Sequence, residues 1–181
     1  MKITKIINSK DSLGLVIAIA LISFAVISRV LPHPANFAPI AAVALFGGAI
    51  LPRRWAISLP LVAMIVSDLI IGLHPLILFT WGSFAAIALI SSYRMRNIST
   101  SNVLFGSIGA SLLFFVVSNL GVFMEGRLYA RTLEGLVQCY INALPFFRST
   151  LLGDLVYSGI LFGAYALAIS IAKTNKKLIN T

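Results

Sequence analysis

Two aspartates stand in segments otherwise apolar enough to cross a bilayer. Asp68 interrupts ISLPLVAMIVSDLIIG, and Asp154 interrupts STLLGDLVYSGILFGAYALAIS. A carboxylate inside a membrane helix costs roughly 3 kcal/mol on insertion scales, so such acids face a bundle interior or a wet cavity and have a partner there. Three segments carry a similar triplet: Ser67-Asp68-Leu69, Ser118-Asn119-Leu120 and Gly153-Asp154-Leu155. At 1.5 Å of rise per residue, each polar residue is expected roughly 6–8 Å inside the same end of its helix. Asn36 opens a further apolar stretch on that side, and Arg29, His33, His74 and Arg148 lie just beyond it. Polar chemistry is thus gathered in one half of the thickness. A relay or channel needs polar groups throughout, so the pattern predicts a half-depth pocket open at one face.

The candidate ligand-binding residues are Arg29, Asn36, Asp68, Trp81, Asn119, Arg148, Asp154 and Tyr157. Trp81 and Tyr157 lie deeper than an interfacial aromatic belt and could stack a flat ligand. Two other readings of the acids stand beside this one. Arg29 and Arg148 could neutralise Asp68 and Asp154 and fix helix register with no ligand. Alternatively, the two carboxylates could serve as acid and base. Both histidines border prolines in loops and read as loop residues rather than metal ligands, so neither a metal nor a cofactor is expected.

The elements that position these residues follow from composition. Of 181 residues, 59% are hydrophobic and only 10% charged, with a mean hydropathy of +0.99. Soluble domains carry about 25% charged residues, so the chain reads as an all-α integral membrane bundle in one domain. Six apolar stretches appear, at about 13–30, 37–51, 55–73, 76–93, 103–124 and 150–172. The second is short, holds Pro39 and Gly47-Gly48, and is expected to pack within protein rather than face lipid. Three lysines, Lys2, Lys5 and Lys10, precede the first stretch without a small-x-small cleavage site, so it reads as an uncleaved helix.

The net charge of +9 is distributed in short loops. With both termini inside, that side holds Lys2, Lys5, Lys10, Arg53, Arg54, Arg94, Arg96, Lys173, Lys176 and Lys177. The outside holds Arg29, Arg127, Arg131 and Arg148, so ten basic residues stand against four. The positive-inside rule then favours six spans in a cell (inner) membrane. No basic face with interleaved aromatics exists, which excludes nucleic acid as a partner.

Residues 125–149 form the longest loop. Leu133, Leu136, Val137, Tyr140, Ile141 and Leu144 recur there at helical spacing, Thr132 can cap the start, and Pro145 is expected to stop it. An amphipathic helix over about 132–144 is therefore predicted at the outer interface, as connector or lid. Pairs of small residues at Gly14/Ala18, Gly106/Ala110 and Gly159/Gly163 permit close helix contact. The lone Cys139 offers neither a disulfide nor a metal pair. There is no P-loop, HExxH or GxSxG, so ATP hydrolysis and familiar hydrolytic chemistry are excluded.

The runs RVLPHPANFAPIAAVALFGGA, LPLVAMIVSDLIIG, SNLGVF and ALPFFRSTLLGDLVYSGILFG, spread over roughly residues 29–165, resemble a family of uncharacterised bacterial six-helix membrane proteins. More distantly, the layout is similar to the substrate-binding (S) components of energy-coupling factor transporters. That resemblance implies an outward cavity capped by loops, a vitamin-like solute, docking through the first three helices, and partnership with a transmembrane coupling subunit and ATPases. The chain starts Met-Lys and lacks the N-terminal histidine motif of the cobalt and nickel members, which disfavours a metal as solute. The expected function is solute binding for uptake, without catalysis. The alternatives are a scaffolding membrane protein closed by Arg–Asp pairs and an enzyme acting on lipid-like substrates.

Overall fold

Apolar runs punctuated by proline and glycine fold into six helices in a computed structural model that describes residues 11–32, 34–95 and 97–179. They are α1 (Asp11–Val30), α2 (Ile40–Ile50), α3 (Arg53–Ile71), α4 (Ile77–Arg94), α5 (Thr100–Glu125) and α6 (Leu133–Ile179). Among the described residues there is no strand. His33, Lys2, Lys5, Lys10 and Arg96 lie outside the described residues, as do the surroundings of Gly14 and the side chains of Arg54, Lys173, Lys176 and Lys177. The helices alternate in direction. Arg29, Asp68, Trp81 and Gly121 meet near one end, the Asp68 end, while Arg53, Tyr93 and Arg94 mark the other, the Arg94 end.

The centre of the bundle is α2. All its residues except Ala49 are buried, and it packs against each of the other five helices. At 1.5 Å per residue its 11 residues reach only about 16 Å, half of a hydrocarbon core. The expectation that this stretch is enclosed by protein matches its position. Its closest neighbour is α4. A Cβ on Gly48 would stand 2.4 Å from Ala88 O, and Ser91 Oγ donates to Leu45 O across the same crossing. A small residue is therefore required at Gly48 for the two backbones to approach.

One expected element is corrected. The separate amphipathic helix over 132–144 does not exist; the chain continues through Pro145 as the single helix α6, 47 residues long. Thr132 does support its start, accepting from Gly135 N at 3.2 Å. Proline disfavours a helix interior by removing a donor and crowding the preceding turn, but packing on α5 overrides that preference. Phe115 of α5 contacts Tyr140 on one side of Pro145 and Phe147 on the other, with ring centroids at 5.5 and 4.9 Å. Tyr140 Oη also donates to Val116 O at 2.7 Å. Both halves are thereby held in line along one neighbour. Pro145→Ala should keep this geometry and raise stability by about 1 kcal/mol, measurable by chemical denaturation in detergent. A loss of helix content would refute the account.

The bundle has an apolar exterior and a largely apolar core that holds a few buried polar groups. Val16, Ile27, Leu69, Leu78, Phe105 and Leu152 are exposed, while Ser67, Asp68, Ser91, Ser111, Asp154 and Ser158 are buried. By length and composition, α4, α5 and Leu133–Ile171 of α6 could each cross a membrane; Leu15–Val30, α2 and Trp55–Ile71 are shorter apolar helices. The small-residue pairs divide. Gly106 faces Leu45 and Met95 at contact distance, whereas Gly159 and Gly163 face open space.

Candidate solute cavity

Asp68 sits three residues before the end of α3 and is 1% exposed. Its Oδ1 accepts from Arg29 Nη1 of α1 at 2.7 Å, and its Oδ2 accepts from Trp81 Nε1 of α4 at 2.7 Å. His74 Nε2 lies 3.7 Å from Oδ2. Arg29 Nη1 also reaches Ser67 Oγ and, at 3.2 Å, Met64 Sδ. One carboxylate thus ties α1, α3 and α4 together, and both its oxygens are engaged. Trp81 acts as a hydrogen-bond donor in this cluster.

Asp154 has a different environment. It is 1% exposed, and Ser111 of α5 donates to its Oδ2 at 2.6 Å. Among the described residues it makes no ion pair, and Arg148, its partner on the alternative ion-pair reading, is exposed. Nor do the two aspartates share a depth. Asp68 is level with Trp81; three residues along α4, Phe84 stacks on Phe114 of α5 with ring centroids at 4.9 Å. Ser111 lies three residues further along α5, which sets Asp154 roughly 9 Å deeper than Asp68. A shared depth follows only for a last helix that begins after Pro145. With the helix beginning at Leu133, Asp154 lies well inside it.

Between these levels lies a cavity of about 410 Å³. Its polar lining is Arg29, Asn36, His74, Thr80, Thr150 and Asp154; Met64, Phe84 and Phe114 contribute much of the rest. Residues from all six helices or their connections reach it, as expected for a site at a helix convergence. The N-terminal end of α2 opens on the same space through Ala38, Ile40 and Ala41, and its N-cap residue, Pro39, makes no side-chain capping bond. Its free amides and positive dipole end complement negative charge. Asn36, at φ 59° in the connection before α2, is exposed at the cavity rim. The positive φ is a conformation that asparagine tolerates better than most residues.

Of the eight predicted site residues, the structure brings Arg29, Asn36 and Asp154 to the cavity wall. Asp68 and Trp81 stand behind Arg29 as its positioning partners. Asn119 donates to Phe115 O of its own helix at 2.7 Å. Tyr157 packs on Phe24 and Phe37 with centroids at 6.0 and 5.6 Å, joining α6 to α1 and to the connection before α2. Arg148 points away from this set, being exposed. Sequence reasoning did not single out Ser111, Thr80 and Thr150. Ser107 and Ser111 repeat at i, i+4, as do Asp154 and Ser158, and that matched spacing was the available signal.

Among the described residues, the arrangement defines a helical bundle with an apolar exterior, three candidate membrane spans and, at one end, a cavity with a few polar groups in its wall. The chain matches a family of unknown function (DUF6580) over residues 9–177 and belongs to it. No curated protein and no solved structure matches the chain.

Proposed function

We propose that this protein is a multi-pass membrane protein that binds a small, vitamin-like solute in the cavity at its Asp68 end, as the solute-binding component of an uptake system. The observation that carries this reading is Asp154, a buried carboxylate lining a 410 Å³ cavity with no arginine or lysine paired to it among the described residues. Ligand sites commonly occupy about 300–1,000 Å³ and place a few polar groups in an apolar wall. Arg29, His74 and the N-terminal end of α2 favour an anionic group on the solute. The apolar exterior supports placement in a bilayer, and the distribution of basic residues supports the cell membrane with the cavity facing outward. Energy would come from partners, a transmembrane coupling subunit and ATPases, because the chain has no P-loop of its own. Paired acid–base catalysis is disfavoured, since Asp68 is fully engaged behind Arg29.

Native mass spectrometry of the gently purified chain should show a retained small molecule. Ala38→Phe, which fills the cavity, should reduce that occupancy by about tenfold or more without loss of melting temperature. A wild-type spectrum with no ligand, together with uptake unaffected by Ala38→Phe, would sink the reading. The Arg29–Asp68 pair at 2.7 Å favours a second reading, a scaffolding protein whose buried pair fixes register. Under that reading, Ala38→Phe affects neither occupancy nor uptake.

A further inference from the structure

Below the cavity floor, α5 and α6 share a buried polar seam. Ser111 and Asp154 meet across it at 2.6 Å. Because the helices run antiparallel, one turn further brings Ser107 of α5 level with Ser158 of α6. Both serines are 1% exposed, and neither hydroxyl oxygen has a hydrogen-bond partner. Buried helical serines ordinarily bond the carbonyl one turn back, as Ser67 and Ser83 do here. Two unpartnered hydroxyls, each one helical turn from the Ser111–Asp154 pair, leave hydrogen-bonding capacity unused near a carboxylate whose charge no cation balances among the described residues. Arg29 is committed to Asp68, and Arg148 is exposed. The N-terminal end of α2 offers only the partial charge of a helix terminus.

We infer that Asp154, Ser107 and Ser158 bind a small monovalent cation, of which sodium is the type. A proton on Asp154 would remove the charge but leave the two hydroxyl oxygens unpaired. A water molecule would pair the oxygens but leave the charge. A hard cation does both, since carboxylate and hydroxyl oxygens are its ordinary ligands. One carboxylate balances one charge, whereas divalent sites draw on more acids. Asp154 borders the outer cavity, which can supply water as further ligands. Ser107 borders a second space of about 400 Å³ between α5 and α6 toward the Arg94 end. The site therefore lies between two accessible regions. The site shares Asp154 with the outer cavity, whereas Ser107 and Ser158 do not line it.

The test uses the full chain in detergent with sodium or choline chloride at equal ionic strength and fixed pH, and no added solute. Sodium should raise the melting temperature by about 3–5 °C over choline, and radiolabelled sodium should bind the wild type. Ser107→Ala and Ser158→Ala should each weaken half-saturation by about tenfold. Ser83→Ala, which removes a serine bonded within its own helix, should leave it unchanged. Equal melting in the two salts with no bound radiolabel overturns the proposal, and so does a sodium response that survives the double serine variant. Should the serine variants fail to fold, radiolabel binding to the wild type decides. A wild type that binds sodium but retains no small molecule leaves this site standing while the solute reading falls.

Discussion

Arg29→Met is expected to cost about 3–5 kcal/mol of stability, because removing one partner strands the other as a buried charge. Asp68 is 1% exposed, and Arg29 is its sole arginine or lysine partner among the described residues. Trp81 and His74 would remain beside the carboxylate, but neither carries the fixed positive charge that Arg29 supplies. The double variant Arg29→Met/Asp68→Leu should recover most of the loss, since replacing a whole buried pair by apolar groups is often neutral or better. Chemical denaturation of all three proteins in detergent provides the comparison. A single variant as stable as the wild type would mean that Asp68 is not held as an ion pair.

Gly48→Val comes next in expected size. The new Cβ would meet Ala88 O at 2.4 Å and Ser91 Cβ at 2.6 Å. The first of these is backbone and cannot rotate away. Overpacking of this kind costs about 1–3 kcal/mol and more when backbones must separate, so a loss of at least about 3 kcal/mol is expected. Gly109→Ala supplies the contrast. Nothing lies within 4 Å of its added Cβ, and alanine is the better helix former by about 0.5–1 kcal/mol. Thermal melting should separate the two variants clearly. Equal melting temperatures would show that the α2–α4 crossing tolerates a wider spacing.

The helices were legible because their cause is local. Long apolar runs bounded by Pro52, Gly72 and Gly126 announce both the segments and their ends, and five of the six helices lie within three residues of the apolar stretches. The short, glycine-bearing run at 40–50 also announced an enclosed helix. Pro145 misled for a physical reason. Its intrinsic preference is a weak constraint compared with contacts made on both sides by Phe115, and those contacts depend on which helix lies alongside. The misplaced start of α6 then carried over to the depth of Asp154. Asp68 and Asp154 stood out in sequence because charge in an apolar run is costly wherever it occurs. Their partners did not stand out, since Trp81 and Ser111 come from other helices and are ordinary residues in theirs. The choice of Arg29 for Asp68 could be guessed from end-of-helix position. The absence of Arg148 from Asp154 could not, because it depends on which face of a continuous α6 turns outward.

On the membrane placement proposed above, the shortness of α2 has a consequence for how the protein is made. A segment of this length cannot settle across a bilayer as an independent span, with lipid on all sides. It reaches its place only when the flanking helices have arrived to receive it, so biogenesis cannot be the simple sequential release of finished spans from the insertion machinery. On that placement, the chain between α1 and α3 would wait in a protein-lined or watery shelter until α4, α5 and α6, which pack on α2, close around it. Helices synthesised after the second are then the ones that complete its home.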